Sequence, residues 1–254
     1  MGRGRAIGAL LLASVLLGSA ATAETLHVGA ASSLREVVDA LRTRFEGAES
    51  DAEVRTSYGA SSVLAAQLRA GAPLDVLLLA DPRIAQVLQR ESGVELGAVF
   101  AHNRLVVLVR DPEIKIPSPD ALLDARYRRI AMPSEAVPVG RYAREWLARH
   151  ELLEALLPRV VQTEHARATL LAVDQGHDDV AIVYETDARL ARHAVVGHRI
   201  PDDAQPRIEY VVLLSERARD SELAARWLRF VQSTQAREIL EAAGFGAVPA
   251  TDAS

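Results

Sequence analysis

The 254-residue chain has no cysteine, which excludes disulfides, thiol catalysis, cysteine metal sites and the lipid-bearing cysteine of a bacterial lipoprotein. Aromatic residues make up only 4%, so a sugar site built on stacking platforms is disfavoured. Lys115 is the only lysine. The seven histidines show no H-E-x-x-H or comparable ligand spacing, which argues against a metal site. There is no Gly/Ser-rich linker and no internal repeat. After the first two dozen residues, no segment reads as membrane-spanning.

What those first residues do contain is an export pattern. Arg3 and Arg5 precede an apolar run from Ala6 to Leu17, followed by Ala21-Thr22-Ala23, an A-x-A cleavage pattern. The run is shorter than the roughly 20 residues that a spanning helix needs. Residues 1–23 are therefore expected to be a signal peptide, leaving 231 residues that begin at Glu24. The mature protein is expected to be free and unlipidated in a periplasm. Without Arg3 and Arg5 the chain keeps 27 basic residues against 34 acidic ones, a net charge of −7. A nucleic-acid partner is excluded on that balance, because phosphate backbones want a basic face. A small anion is not excluded, since net charge governs steering rather than what a local nest of amides holds.

Short apolar runs alternate with amphipathic stretches, which predicts an α/β fold. Strands are expected at 25–28, 54–58, 76–79, 105–109, 129–132, 180–184 and 208–214. Helices are expected from the spacing of Leu34, Val37, Val38, Leu41 and Phe45, and at about 62–70, 142–150, 166–175, 223–231 and 236–243. Val76-Leu77-Leu78-Leu79 reads as a strand buried on both faces of a parallel sheet. Strand-like crossings near His102-Asn103-Arg104 and Arg207-Ile208-Glu209 predict two lobes: residues 24–103 plus 208–254, and residues 104–207.

Four helix starts carry groups suited to an anion. Ser33 with Glu36 has the form of an S-x-x-E capping box, so Ser33 either caps its helix or offers its hydroxyl to a ligand. In Tyr58-Gly59-Ala60-Ser61-Ser62-Val63 either serine can cap, and the segment nearly matches the G-x-S-x-G nucleophile elbow, with Val63 in place of the second glycine. Pro138 suits a first helical position, so Val139 and Gly140 present free amides. Glu164-His165-Ala166-Arg167 opens another helix, and Tyr184 ends a strand. Beyond the carboxyl ends of parallel strands these groups converge as neutral donors only. Such a set suits a fully ionised oxyanion, whose oxygens accept and never donate.

In their order, these segments resemble the periplasmic molybdate-binding proteins of ABC transporters over essentially the whole mature chain. The resemblance rests on AASSL at 30–34, YGASSVLAAQL at 58–68, GAPLDVLLLAD at 71–81 and NRLVVLV at 103–109. It continues through VPVGRYA at 137–143, HARATL at 165–170, VAIVYETDA at 180–188 and GFGAV at 244–248. It implies a type II periplasmic-binding fold, each lobe a mostly parallel sheet flanked by helices, closing by hinge motion over molybdate or tungstate. It further implies oxyanion contacts from the Ser33 and Ser61 hydroxyls, the Val139 and Ala166 amides and the Tyr184 hydroxyl. Ser32 and Ser62 flank the two serines and can exchange with them by a one-residue register shift. Val139 stands where the family often has alanine, and His165 where an acidic residue is common. The resemblance implies a monomer that delivers its ligand to an inner-membrane permease, with no cofactor, no direct protein ligand to molybdenum and no catalysis. Two alternatives stay open: a binding protein for another oxyanion such as sulfate, and a secreted serine hydrolase using Ser61.

Overall fold

Two apolar runs become interior strands of two five-stranded sheets: Val76–Leu79 and Leu105–Val109 are buried at every position. The computed structural model describes residues 23–246 and 248. The signal peptide expected over residues 1–23 lies outside them except for Ala23.

The first sheet holds β1 (Glu24–Ala31), β2 (Ala52–Gly59), β3 (Val76–Leu79), β4 (Glu95–Asn103) and β10 (Ile208–Leu214), in the order β2-β1-β3-β10-β4. The second holds β5 (Leu105–Val109), β6 (Ile130–Pro133), β7 (Val160–Thr163), β8 (Val180–Tyr184) and β9 (Val195–Arg199), in the order β7-β6-β8-β5-β9. Each sheet has the same plan. Three strands are parallel, β2-β1-β3 and β7-β6-β8, and the strand beside them, β10 or β5, runs antiparallel to both its neighbours. The molecule is thus a two-lobed α/β protein with mixed sheets. The chain passes between sheets twice, at Arg104 between β4 and β5 and through residues 200–207 between β9 and β10.

The helices are α1 (Arg35–Ala48), α2 (Ser61–Arg69), α3 (Pro82–Ser92), α4 (Pro138–Arg149), α5 (Leu153–Leu156), α6 (Ala166–Asp174), α7 (Glu185–Ala188), α8 (Glu222–Val231) and α9 (Thr234–Ala242). In α1 the periodic residues Val37, Val38, Leu41 and Phe45 are the buried ones, and each such side chain contributes about 1.5–3 kcal/mol by leaving water. Phe45 meets Trp227 of α8 edge-on at 5.1 Å. Residues 82–92, 95–103, 160–163 and 195–199 also form regular elements, which the apolar pattern did not single out. Asp81 with Pro82 supplies a start signal for α3, its side chain accepting from the Arg83 amide at 2.9 Å.

Gly140 is required by close approach. A Cβ on Gly140 would lie 2.3 Å from the Ser134 carbonyl oxygen and 2.5 Å from that of Pro133. Gly140 therefore lets the start of α4 sit directly on the end of β6. Gly59, at the junction of β2 and α2, has no such need: it takes no positive φ and a Cβ there would meet only Leu64 at 3.9 Å.

Candidate functional site

Each of the six parallel strands delivers its carboxyl end to one small cavity between the sheets. Its wall is Ala31, Ser32 and Ser33 after β1, Gly59, Ala60 and Ser61 after β2, and Ala80 after β3. From the second sheet come Val137, Pro138 and Val139 after β6, Ala166 after β7, and Tyr184 at the end of β8. All five residues singled out in the sequence, Ser33, Ser61, Val139, Ala166 and Tyr184, are in this wall, and all are buried. Ser32 lines it as well. Ser62 does not: it is half-buried and faces a separate groove beside Arg69 and Arg83.

Neither capping expectation for the serines holds. The chain after β1 makes a 3-10 turn over Ser32–Leu34, α1 starts only at Arg35, and no side chain caps it. That late start removes Ser33 from the N-cap position. Its Oγ instead lies 3.0 Å from the Tyr210 hydroxyl, and Glu36 reaches Arg167 on the other lobe. At α2 the N-cap is Ala60, which has no capping side chain, and Ser61 is already the first helical residue. Its Oγ accepts from the Ala80 amide at 3.0 Å. His165, in contrast, does cap: its Nδ1 accepts from the Ala168 amide at 3.1 Å, which fixes the start of α6 and the Ala166 amide with it.

Helix geometry supplies the donors. The first helical hydrogen bonds of α4 and α6 run from Arg141 to the Val137 carbonyl and from Thr169 to the His165 carbonyl. The amides of Val139 and Ala166 precede those bonds, so neither has an acceptor within its helix. Both helix dipoles add partial positive charge at this end. The Tyr184 hydroxyl is buried and makes no hydrogen bond. Burial pushes this phenol well above its ordinary range, with Tyr210 and Tyr142 acting in the same direction, so it remains a neutral O–H donor.

The wall contains no histidine, carboxylate or basic side chain. A serine nucleophile at Ser61 has no base in it to take its proton. Charge sits just outside, in two ion pairs that cross between lobes. Arg141 meets Asp81 at 2.8 Å, and Arg167 meets Glu36. Sequence reasoning found neither pair, nor Tyr210 and Asn103 behind Ser33. Only long-range pairing brings these residues together, and no local motif marks them.

This two-lobed fold, with donors gathered at the facing strand ends, is that of an extracytoplasmic binding protein for small solutes. The chain belongs to the bacterial extracellular solute-binding protein family, whose model matches residues 26–246. Within that class it is similar to the molybdate-binding protein ModA of Escherichia coli, at 28% identity over 94% of this chain and 95% of the relative. The fold matches the periplasmic molybdate-binding protein of Azotobacter vinelandii with a TM-score of 0.76 at 20% identity, covering 88% of this chain and 99% of that one. It also matches the sulfate-binding protein SubI of Mycobacterium tuberculosis, with a TM-score of 0.74 at 20% identity and coverage of 89% and 87%.

Proposed function

We propose that this protein captures molybdate or tungstate between its lobes and delivers it to the membrane permease of an ABC transporter. The carrying observation is the buried Tyr184 hydroxyl, without a partner, in a wall of neutral donors. Leaving such a group unpaired costs about 1–3 kcal/mol, and an oxyanion in the cavity relieves that cost. The assigned contacts are the hydroxyls of Ser33, Ser61 and Tyr184 and the amides of Val139 and Ala166. The described residues of 24–103 and 208–254 form one lobe and residues 104–207 the other. Bending at the two crossings opens the cleft, and a ligand touching both lobes favours the closed form. The protein acts after export, in the periplasm and without lipid, as a monomeric carrier that breaks no bond and uses no cofactor.

A thermal-shift panel of molybdate, tungstate, sulfate and phosphate tests this reading. A ligand at a hundredfold excess over its Kd stabilises the folded chain by about 2.7 kcal/mol, roughly 5–10 °C for a chain of this size. Molybdate and tungstate are expected to give that shift. A shift with sulfate alone supports the second reading, a sulfate carrier, which the likeness to SubI favours. No shift with any oxyanion removes both.

A further inference from the structure

Behind Ser33 lies a chain of hydrogen bonds whose direction is fixed from its far end. Asn103 closes β4, and its Oδ1 accepts from the Arg104 amide at 2.8 Å. An amide N–H can only donate, so this contact orients the Asn103 side chain and leaves its Nδ2 facing the other way. Nδ2 donates its two hydrogens to the Thr186 Oγ1 at 2.8 Å and to the Tyr210 hydroxyl oxygen at 3.1 Å. Tyr210 has a single hydroxyl hydrogen, and its remaining neighbour is the Ser33 Oγ at 3.0 Å. Burial keeps the Tyr210 phenol protonated. Ser33 thus accepts from Tyr210, and the cavity is where its own hydrogen finds an acceptor. Ser61 has the same polarity, accepting from the Ala80 amide.

We propose that Asn103 and Tyr210 are positioning residues that hold the Ser33 hydroxyl as a donor toward the cavity, and so reject oxyanions that carry a proton. Hydrogen phosphate must donate one hydrogen bond, and in this cavity that hydrogen faces another hydrogen. Molybdate, tungstate and sulfate carry no proton and meet no such conflict. The selection thus resides in a side chain that never touches the ligand. The same Asn103 amide is bonded to Thr186, two residues beyond Tyr184, so the filter is anchored where the chain passes between sheets. This inference rests on the oxyanion reading above.

The diagnostic change is Asn103→Asp, which keeps the shape but replaces a donor by an acceptor. The Tyr210 hydrogen then turns to the carboxylate, its oxygen accepts from Ser33, and Ser33 presents a lone pair to the cavity. Calorimetry in mildly alkaline buffer would compare molybdate with hydrogen phosphate, both divalent there, so that the added charge largely cancels in the ratio. The expected result is a shift of roughly tenfold or more toward phosphate. Adding Tyr210→Phe breaks the relay and frees Ser33 to donate or accept, so the ratio should fall back part of the way toward the wild-type value. Tyr210→Phe alone keeps the ring against Phe100 and Phe245 and should weaken molybdate binding roughly five- to tenfold. A wild-type protein that binds molybdate, together with variants of unchanged ratio and affinity, overturns this inference but not the oxyanion reading. A phosphate gain undiminished in the double variant also overturns it, because the charge then acts directly. A wild-type protein that binds no oxyanion ends both.

Discussion

The Asp81 carboxylate faces two ways: Oδ1 accepts from the Arg83 amide at the start of α3, and Oδ2 takes the Arg141 guanidinium of α4. Asp81 belongs to the lobe of the first sheet and Arg141 to that of the second. Arg141 stands two residues after Val139, and Arg167, which meets Glu36 across the cleft, stands one residue after Ala166. Each helix that offers an amide to the cavity therefore carries, beside that amide, an arginine gripping the opposite lobe. On the proposed reading, closure and completion of the donor set are one event.

Cutting one grip should favour the open form. Arg141→Met keeps the aliphatic stem over the Tyr142 ring, which the guanidinium now covers at 4.1 Å, and leaves Asp81 free to cap α3. The expected outcome is a larger radius of gyration for the ligand-free protein and a molybdate Kd weakened about tenfold, or ~1.4 kcal/mol. Small-angle scattering and calorimetry read the two effects. An unaltered scattering curve with unaltered Kd would mean that the pair is an idle contact.

Tyr184→Phe separates binding from folding. The hydroxyl satisfies nothing in the ligand-free protein, so its loss should leave the melting temperature unchanged or slightly raised. Binding loses one donor to a charged acceptor, which amounts to about 1.5–3 kcal/mol, roughly ten- to a hundredfold in Kd. Retained affinity in this variant would remove Tyr184 from the site.

Ser61→Ala should behave in the opposite manner. Its Oγ is the acceptor for the Ala80 amide, so alanine leaves a buried N–H unpaired. The ligand-free protein is expected to lose about 1–3 kcal/mol of stability, and molybdate binding weakens as well. A denaturant titration and calorimetry on the same preparation measure both. Weakened binding with no loss of stability would contradict the Ser61–Ala80 contact.

Much of this was legible in the residues. Continuous apolar runs such as 76–79 and 105–109, and the helical spacing of Val37, Val38, Leu41 and Phe45, located most strands and helices because burial imposes that periodicity. The five cavity residues stand at strand-to-helix junctions, which the alternation of patterns exposes. Ser33 was harder: S-x-x-E is a local signal for capping, and only the 3-10 turn at 32–34 frees its hydroxyl for Tyr210, 177 positions away. Strand β4 was missed because only part of it is buried, and β9 is half-exposed along most of its length. Asn103, Tyr210, Arg141 and Arg167 acquire their meaning from partners that no sequence window contains.

Asp187 sets the expected pH dependence. Its side chain is fully buried, neither oxygen accepts a hydrogen bond, and Arg167 is 3.7 Å away. Burial raises its pKa to about 7; Arg167 opposes that rise and Glu36 adds to it. The unfolded chain releases this proton near the ordinary value of 3.8. Between those values the folded state holds a proton that the unfolded state has lost. The favourable contribution is full below 3.8 and is lost as the pH rises toward 7, so stability falls across that window. Asp187→Asn keeps the shape and removes the titration. Its stability relative to wild type should therefore climb between roughly pH 4 and pH 7 and level off above that, the difference reaching a few kcal/mol at most. Melting curves of both proteins, followed by circular dichroism across that range, measure it. A difference that stays flat with pH would mean that Asp187 is ionised in the folded protein throughout, held by Arg167 despite its burial.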